Sequence, residues 1–186
     1  KDTRMEPDEG GVTSADVQKK EWKKLEIQIK NALQKATITN VREIVVELLQ
    51  LNLLRGSGIF CNNVMHIVRD SRNKSILMAS IVSAINSKIP FVGELLVSRL
   101  LYRIWKTQSK WPVSWYSVSE AIDYSILLGN LAAQNVIEDV ILLQIIMTSL
   151  EQESDDPSGS ITLCIKICFA LGDYLAKTNQ SALASI

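Results

Sequence analysis

Large apolar side chains in this sequence recur three and four residues apart, in runs long enough for several helical turns. That rhythm restricts the chain to helices more than any other feature does. Trp22, Leu25, Ile29, Leu33 and Ala36 open the pattern. Such spacing lines one face of a helix, whereas a half-buried strand alternates every second residue. No stretch sustains strand-like alternation. Only 8 Gly and 4 Pro punctuate a chain that is 47% hydrophobic, too few for the many tight turns of a sandwich or barrel. A length of 186 residues fits one domain with a real core.

Breaks in the rhythm divide the chain. Residues 1–14 combine Pro7, Gly10, Gly11 and several charges with almost no large apolar side chain, and read as a flexible lead-in. Ser14 can cap a first helix. Asn40 and Glu43 have the form of a capping box before a second, VREIVVELLQLNLL, which is apolar nearly all round and therefore reads as an inner layer. Arg55-Gly56 is expected to end it, with Ser57 capping a third helix to about Asp70. A fourth runs from about Lys74 to Lys88, and a fifth from Pro90 to about Thr107. After a loop around Pro112 a sixth ends near Ala133, and Asn135 with Glu138 reads as a capping box for a seventh, to Glu151. An eighth from about Ser160 stops at Gly172, before the start of a ninth. Every second break falls roughly 35 to 45 residues after the last, the period of HEAT-like repeats. The expected fold is all-α: a HEAT-like solenoid of four to five stacked antiparallel helix pairs over residues 15–186, the last pair truncated. Stacked pairs of this kind present long surfaces to partners.

The formal charge of zero conceals a dipole. Residues 1–16 hold two basic and five acidic groups, residues 17–110 sixteen and six, and residues 111–186 two and nine, for nets of −3, +10 and −7. A field so divided steers charged partners to one half. The longest apolar stretch, Val140 to Leu150, is interrupted by Gln144 and is far short of the roughly 18 residues of a membrane span. The opening residues have no signal-peptide core, so an intracellular location is expected.

Chemistry-bearing constellations are sparse. The one histidine, His66, lies in a helical run with no nucleophile signature. Cys61, Cys164 and Cys168 lack zinc-finger spacing, and Cys61 and His66, about 140° apart on a helix, face different ways. No phosphate-binding glycine motif occurs. The residues therefore offer no catalytic group, metal site or cofactor site. Arg99, Arg103, Lys106 and Lys110, spaced four, three and four apart, form a basic stripe if the fifth helix extends that far. Such a stripe is a solvated face, or else a contact for RNA phosphates or an acidic protein surface. Trp105, Trp111, Trp115 and Tyr116 crowd the same region, as loop packing or as a stacking platform for bases.

Two segments carry a resemblance: ELLQLNLLRGSGIFCNNVM, beginning at Glu47, and ILMASIVSAINSKIPFVGELLVSRLL, beginning at Ile76. With Trp22, Leu25, Ile29, Lys35, Asn40 and the later Gln134-Asn135-Val136 and Asp155-Asp156, they resemble the middle domain of the translation initiation factor 4G family. The likeness is greatest to its splicing branch, which escorts the exon-junction DEAD-box ATPase. Ser57 departs from the family's second arginine, Gln34 from its asparagine, and the Trp-containing loop at 105–117 is longer. The family's second helical domain and charged tail are missing from the chain.

The resemblance implies a non-catalytic nuclear scaffold, without cofactor. It would bind a DEAD-box ATPase of the initiation factor 4A type together with spliceosomal proteins, as a monomer within a larger complex supporting splicing and exon junction assembly. The alternative is a related scaffold in translation initiation, nonsense-mediated decay or ribosome assembly, binding RNA directly. By matched position, Gln34, Lys35, Asn40, Arg55, Asn86 and Lys88 would be partner contacts or loop supports, and Gly56 and Gly58 would shape a turn.

Overall fold

A computed structural model describes residues 14–108 and 115–151, together with 165, 167–169, 171, 172, 174 and 176. It contains α1 (Ser14–Lys35), α2 (Val41–Gln50), α3 (Leu53–Asp70), a 3₁₀ turn (Arg72–Lys74), α4 (Ser75–Asn86), α5 (Pro90–Gln108), α6 (Trp115–Ala133) and α7 (Asp139–Glu151). The described residues between 165 and 176 are helical too, and no strand occurs among the described residues. The lead-in before Ser14 and the loop at 152–159 lie outside the described residues.

The helices form two layers. α1, α3 and α5 pack side by side in one, α2, α4 and α6 in the other, and α7 rests on α6. α3 begins 39 residues after α1, and α5 begins 37 after α3, within the expected period. α7 begins 49 after α5, because two 19-residue helices, the segment between them and the turn at 134–138 fill that interval. The architecture is the expected all-α stack of helix pairs.

The core is continuous across the layers. Its largest fully buried side chains include Ile29 and Leu33 of α1, Phe60 of α3, Met78, Ile81 and Ile85 of α4, Leu96 and Leu100 of α5, and Leu127 and Leu128 of α6. Each contributes about 1.5–3 kcal/mol by leaving water. The innermost helix is α4, with Leu77, Met78, Ala79, Ile81, Val82 and Ile85 all buried. α2, expected in that place, buries only Ile44 and Leu48, and leaves Val46 and Leu49 exposed. Its apolar residues are numerous, but it has a neighbouring layer on one side only.

Three other expectations are corrected by backbone geometry. The second helix stops at Gln50, not at Gly56: Leu51 turns extended and Asn52 caps α3, its Oδ1 accepting the Arg55 N–H at 3.1 Å. Ser57 is consequently buried within α3, donating its hydroxyl back to the Leu54 carbonyl. Asn135 closes α6 instead of opening α7. With φ of 55°, it donates its N–H to the Ala132 carbonyl while Val136 N–H reaches the Leu131 carbonyl, the paired bonds of a Schellman end. Finally, Gly172 is itself helical, as are Tyr174 and Ala176, where a helix end was expected, and the rest of the expected ninth helix lies outside the described residues.

Polar contacts set the register of α4 against α6. Arg72 Nε donates to Asp123 Oδ1 at 2.6 Å, Asn130 Nδ2 to Ser75 Oγ at 2.9 Å, and Ser83 Oγ to the Gln134 carbonyl at 3.1 Å. Residue numbers rise together along both helices, so the two run parallel. The Asp123 side chain is 6% exposed and that of Arg72 51%. This asymmetry predicts unequal losses. Arg72→Ala, which strands a buried carboxylate, should lower unfolding free energy by about 2–4 kcal/mol in denaturant titrations, and Asp123→Ala, which frees a hydrated guanidinium, by about 1.

Candidate functional site

The family-matched residues fall at two opposite ends of the helix stack. The chain reverses at each turn, so the turns after α1 and α3 share one end, and those after α2, α4 and α6 share the other. Arg55, at the start of α3, stacks over Trp22 of α1 with its guanidinium carbon 5.7 Å from the ring centroid, which fixes the second end beside the first half of α1. α2 alone, at ten residues, separates the ends by about 15 Å. Gln34, Lys35 and Asn40 therefore do not meet Arg55, Asn86 and Lys88.

At the first end, Asn40 organises the turn between α1 and α2. Its Oδ1 accepts the Thr37 N–H at 2.7 Å, and its Nδ2 donates to the Lys35 carbonyl at 3.0 Å. Its backbone carbonyl meanwhile accepts the Ile44 N–H, the first bond of α2. The expected capping-box bond is absent: the Asn40 side chain makes no cap hydrogen bond to α2 and faces backward. Thr37 and Thr39 hydroxyls lie 3.0 Å apart across the turn. So braced, the turn leaves Gln34 and Lys35 exposed, and Ile38 at its tip is 87% exposed. Arg42 and Lys74 belong to this end, and Arg42 is exposed. Ile38 was missed in the sequence because a lone isoleucine between threonines carries no periodic signal.

At the second end most matched residues serve the fold. Gly56 does not shape a turn: it lies inside α3, where an added Cβ would come 2.7 Å from Ile29 Cδ1 and 3.2 Å from Leu25 Cδ2. Its missing side chain lets α1 and α3 approach. Gly58 lies in α3 as well, its carbonyl accepting Arg99 Nη1 at 2.8 Å, with Arg99 Nη2 3.2 Å from where its Cβ would be. Asn86 ends α4, and its amide covers Gly93 of α5 so closely that a Cβ there would collide with Asn86 Oδ1. Lys88 is exposed in the turn that follows. A groove of about 340 Å³ runs beside Arg55, lined by Trp22, Leu25, Gln50 and Asn52 among others.

The basic stripe is only partly a free face. Arg99 bridges α5 to α3 through the Gly58 carbonyl and Asn62 Oδ1, the latter at 2.7 Å. Arg103 is exposed, and Lys106 Nζ stands 5.6 Å over the Tyr102 ring. Lys110 and Trp111 lie outside the described residues, as do the side chains of Trp115 and Tyr116.

Cys61 is fully buried in α3 while His66 is exposed on it, so they face different ways. Burial pushes the Cys61 thiol up to about 11, against a lesser pull from Arg99. Such a thiol stays protonated and is a poor metal ligand or nucleophile. Among the described residues no three of His, Cys, Asp and Glu converge on a metal-sized site, and no helix is long and apolar enough to cross a membrane.

Two predictions follow from these contacts. Gly93→Ala should cost about 1–2 kcal/mol of stability, and in the Asn86→Ala background that cost should largely vanish, which a double-mutant cycle in denaturant reads directly. An unfolded thiol ionises near 9 but buried Cys61 only near 11. Its contribution to stability is thus intact below pH 9 and lost between pH 9 and 11. Denaturation midpoints should fall across that window, less steeply for Cys61→Ala.

No protein-family model matches the chain. Among curated proteins it is 33% identical over 170 residues to the pre-mRNA-splicing factor CWC22 of Debaryomyces hansenii, covering 91% of this chain and 25% of that protein. It is 28% identical to the pre-mRNA-splicing factor cwf22 of Schizosaccharomyces pombe, over 92% of this chain and 18% of that protein. It is also 28% identical to the CWC22 homologue of Danio rerio, over 94% of this chain and 17% of that protein. The chain thus spans a quarter or less of the length of these relatives.

Proposed function

Because the chain is homologous to a segment of the CWC22 pre-mRNA-splicing factors, we propose that it is a non-catalytic nuclear scaffold of the splicing machinery that holds a DEAD-box ATPase of the initiation factor 4A type through the turn between α1 and α2. The observation that carries this reading is the division of labour among the matched residues. Asn40, Gly56, Gly58 and Asn86 are engaged by the fold and exposed Arg55 stacks over Trp22, whereas Gln34 and Lys35 stand exposed together beside a turn whose shape Asn40 fixes, and Lys88 stands exposed at the other end. A turn held in one conformation loses little entropy when a partner docks on it.

The chemistry of this end suits an acidic protein surface with an apolar dimple. Lys35, Arg42 and Lys74 supply charge that speeds encounter and sets orientation, and Ile38 supplies an apolar anchor. Gln34, with both donor and acceptor atoms, can pair with backbone groups of the partner. Spliceosomal proteins and exon-junction assembly enter as the setting in which the ATPase is held.

The reading is tested by calorimetric titration of a purified ATPase of that type into the chain. Lys35→Glu and Ile38→Ser should each weaken binding about tenfold or more, corresponding to roughly 1.4 kcal/mol. Lys88→Glu, at the opposite end, should leave affinity within about twofold. If Lys88→Glu abolishes binding and Lys35→Glu does not, the docking end is misassigned.

A further inference from the structure

The outer face of α5 carries large apolar side chains that its fold does not use. Phe91 is 52% exposed, and Tyr102 and Trp105 are each 54% exposed. With half-buried Leu95 and exposed Ser98 they fall at spacings of four, three, four and three, the a and d positions of a heptad seam. The stripe is about 21 Å long. It lies opposite the buried side of α5, which is formed by Val92, Leu96, Leu100 and Ile104. The Tyr102 and Trp105 rings pack at 6.3 Å between centroids, so the seam is partly ordered in advance.

α1 and α3, in the same layer, also expose single apolar residues, Ile27 and Leu54 among them. What distinguishes α5 is that its exposed apolar residues share one stripe, whereas the matching stripe of α3 is Arg55, Asn62 and His66. The layer neighbour α3 and the second layer, α4 and α6, pack against the other sides of α5 and leave this face uncovered. Charge borders the seam unevenly: Arg99 and Lys106 occupy the flanking e positions with Arg103 beyond, against Glu94 alone on the other flank. Between α3 and α5 a groove of about 310 Å³, lined by Asn62, Met65, Ser98, Arg99, Tyr102 and Arg103, widens the seam.

We propose that the outer face of α5 is a docking seam for an amphipathic helix of a protein partner, one that sets apolar a and d side chains on Phe91, Leu95, Tyr102 and Trp105 and acidic side chains opposite Arg99, Arg103 and Lys106. Ser98 at the centre of the seam makes room for a large knob from the partner, as a small residue between bulky neighbours does in helix packing. The charge of the flank selects an acidic helix over a basic one and fixes its side of approach. This seam lies on α5, two helices along the layer from the α1 that leads into the turn proposed to hold the ATPase.

The test uses the whole chain and designed peptides about four heptads long. One has Leu at a and d with Glu at e and g, a second replaces those Glu by Lys, and a third scrambles the first. The first should bind and shift backbone amide resonances of residues 91–106. The Lys-flanked and scrambled peptides, and the Ser98→Glu variant with the first peptide, should each bind at least about tenfold more weakly. Ser98 is exposed, so the variant should fold, which circular dichroism checks. Tyr102→Ser with Trp105→Ser gives a second, uncharged disruption with the same expected loss. Equal binding of the acidic and scrambled peptides, or no binding by any, overturns the proposal. So does an oligouridine that shifts the same resonances while the first peptide does not, or self-association of the chain that Ser98→Glu abolishes.

Discussion

The burial of α4 on nearly every side is the constraint on which the rest of this molecule depends. It touches α2, α3, α5 and α6, and a helix so enclosed can be satisfied only if its neighbours are in fixed register. Apolar packing alone would tolerate sliding by a turn. The polar contacts that α4 and its preceding turn make with α6 remove that freedom, since Asp123 and Ser75 are buried and would lose their partners in any other register. Once α4 is placed, the turns of successive pairs line up at two ends of the stack. Surfaces made from separate turns depend on that alignment.

Helical periodicity made the number and order of the early helices legible, because their buried stripes repeat at three and four along Ile29, Leu33 and Ala36 and again along Phe60, Val64 and Val68. Helix ends were less legible, for a physical reason. Asparagine can cap a helix start, close a helix in the left-handed region, or brace a turn by bonding backward. Asn52, Asn135 and Asn40 do one of these each. Glycine is similarly ambiguous: Gly56 marks a close helix crossing and Gly172 a helical interior, though both stand where a helix end would suit the local pattern. Depth was misjudged for α2, since composition counts apolar residues and not the neighbours available to cover them.

The candidate site shows the same limit at the level of function. Matching a motif identifies positions, but it does not separate those that build the fold from those a partner could touch. Gly56, Gly58 and Asn86 are specific because neighbouring helices press against them. Gln34 and Lys35 have no such internal duty, and the rigid turn beside them exposes Ile38, a residue with no signature in the sequence. The α5 seam was visible only in part: the crowding of aromatic residues was evident, but their outward orientation needed the packing of Val92, Leu96 and Leu100 on the opposite side.

The central claim, that the partner ATPase docks on the turn between α1 and α2, is tested most directly by hydrogen exchange of the chain with and without that ATPase. Slowed exchange at Thr37 to Asn40, with no change at residues 86–90, is the predicted result. Slowed exchange confined to residues 52–58 and 86–90 would contradict it and move the working surface to the opposite end of the stack.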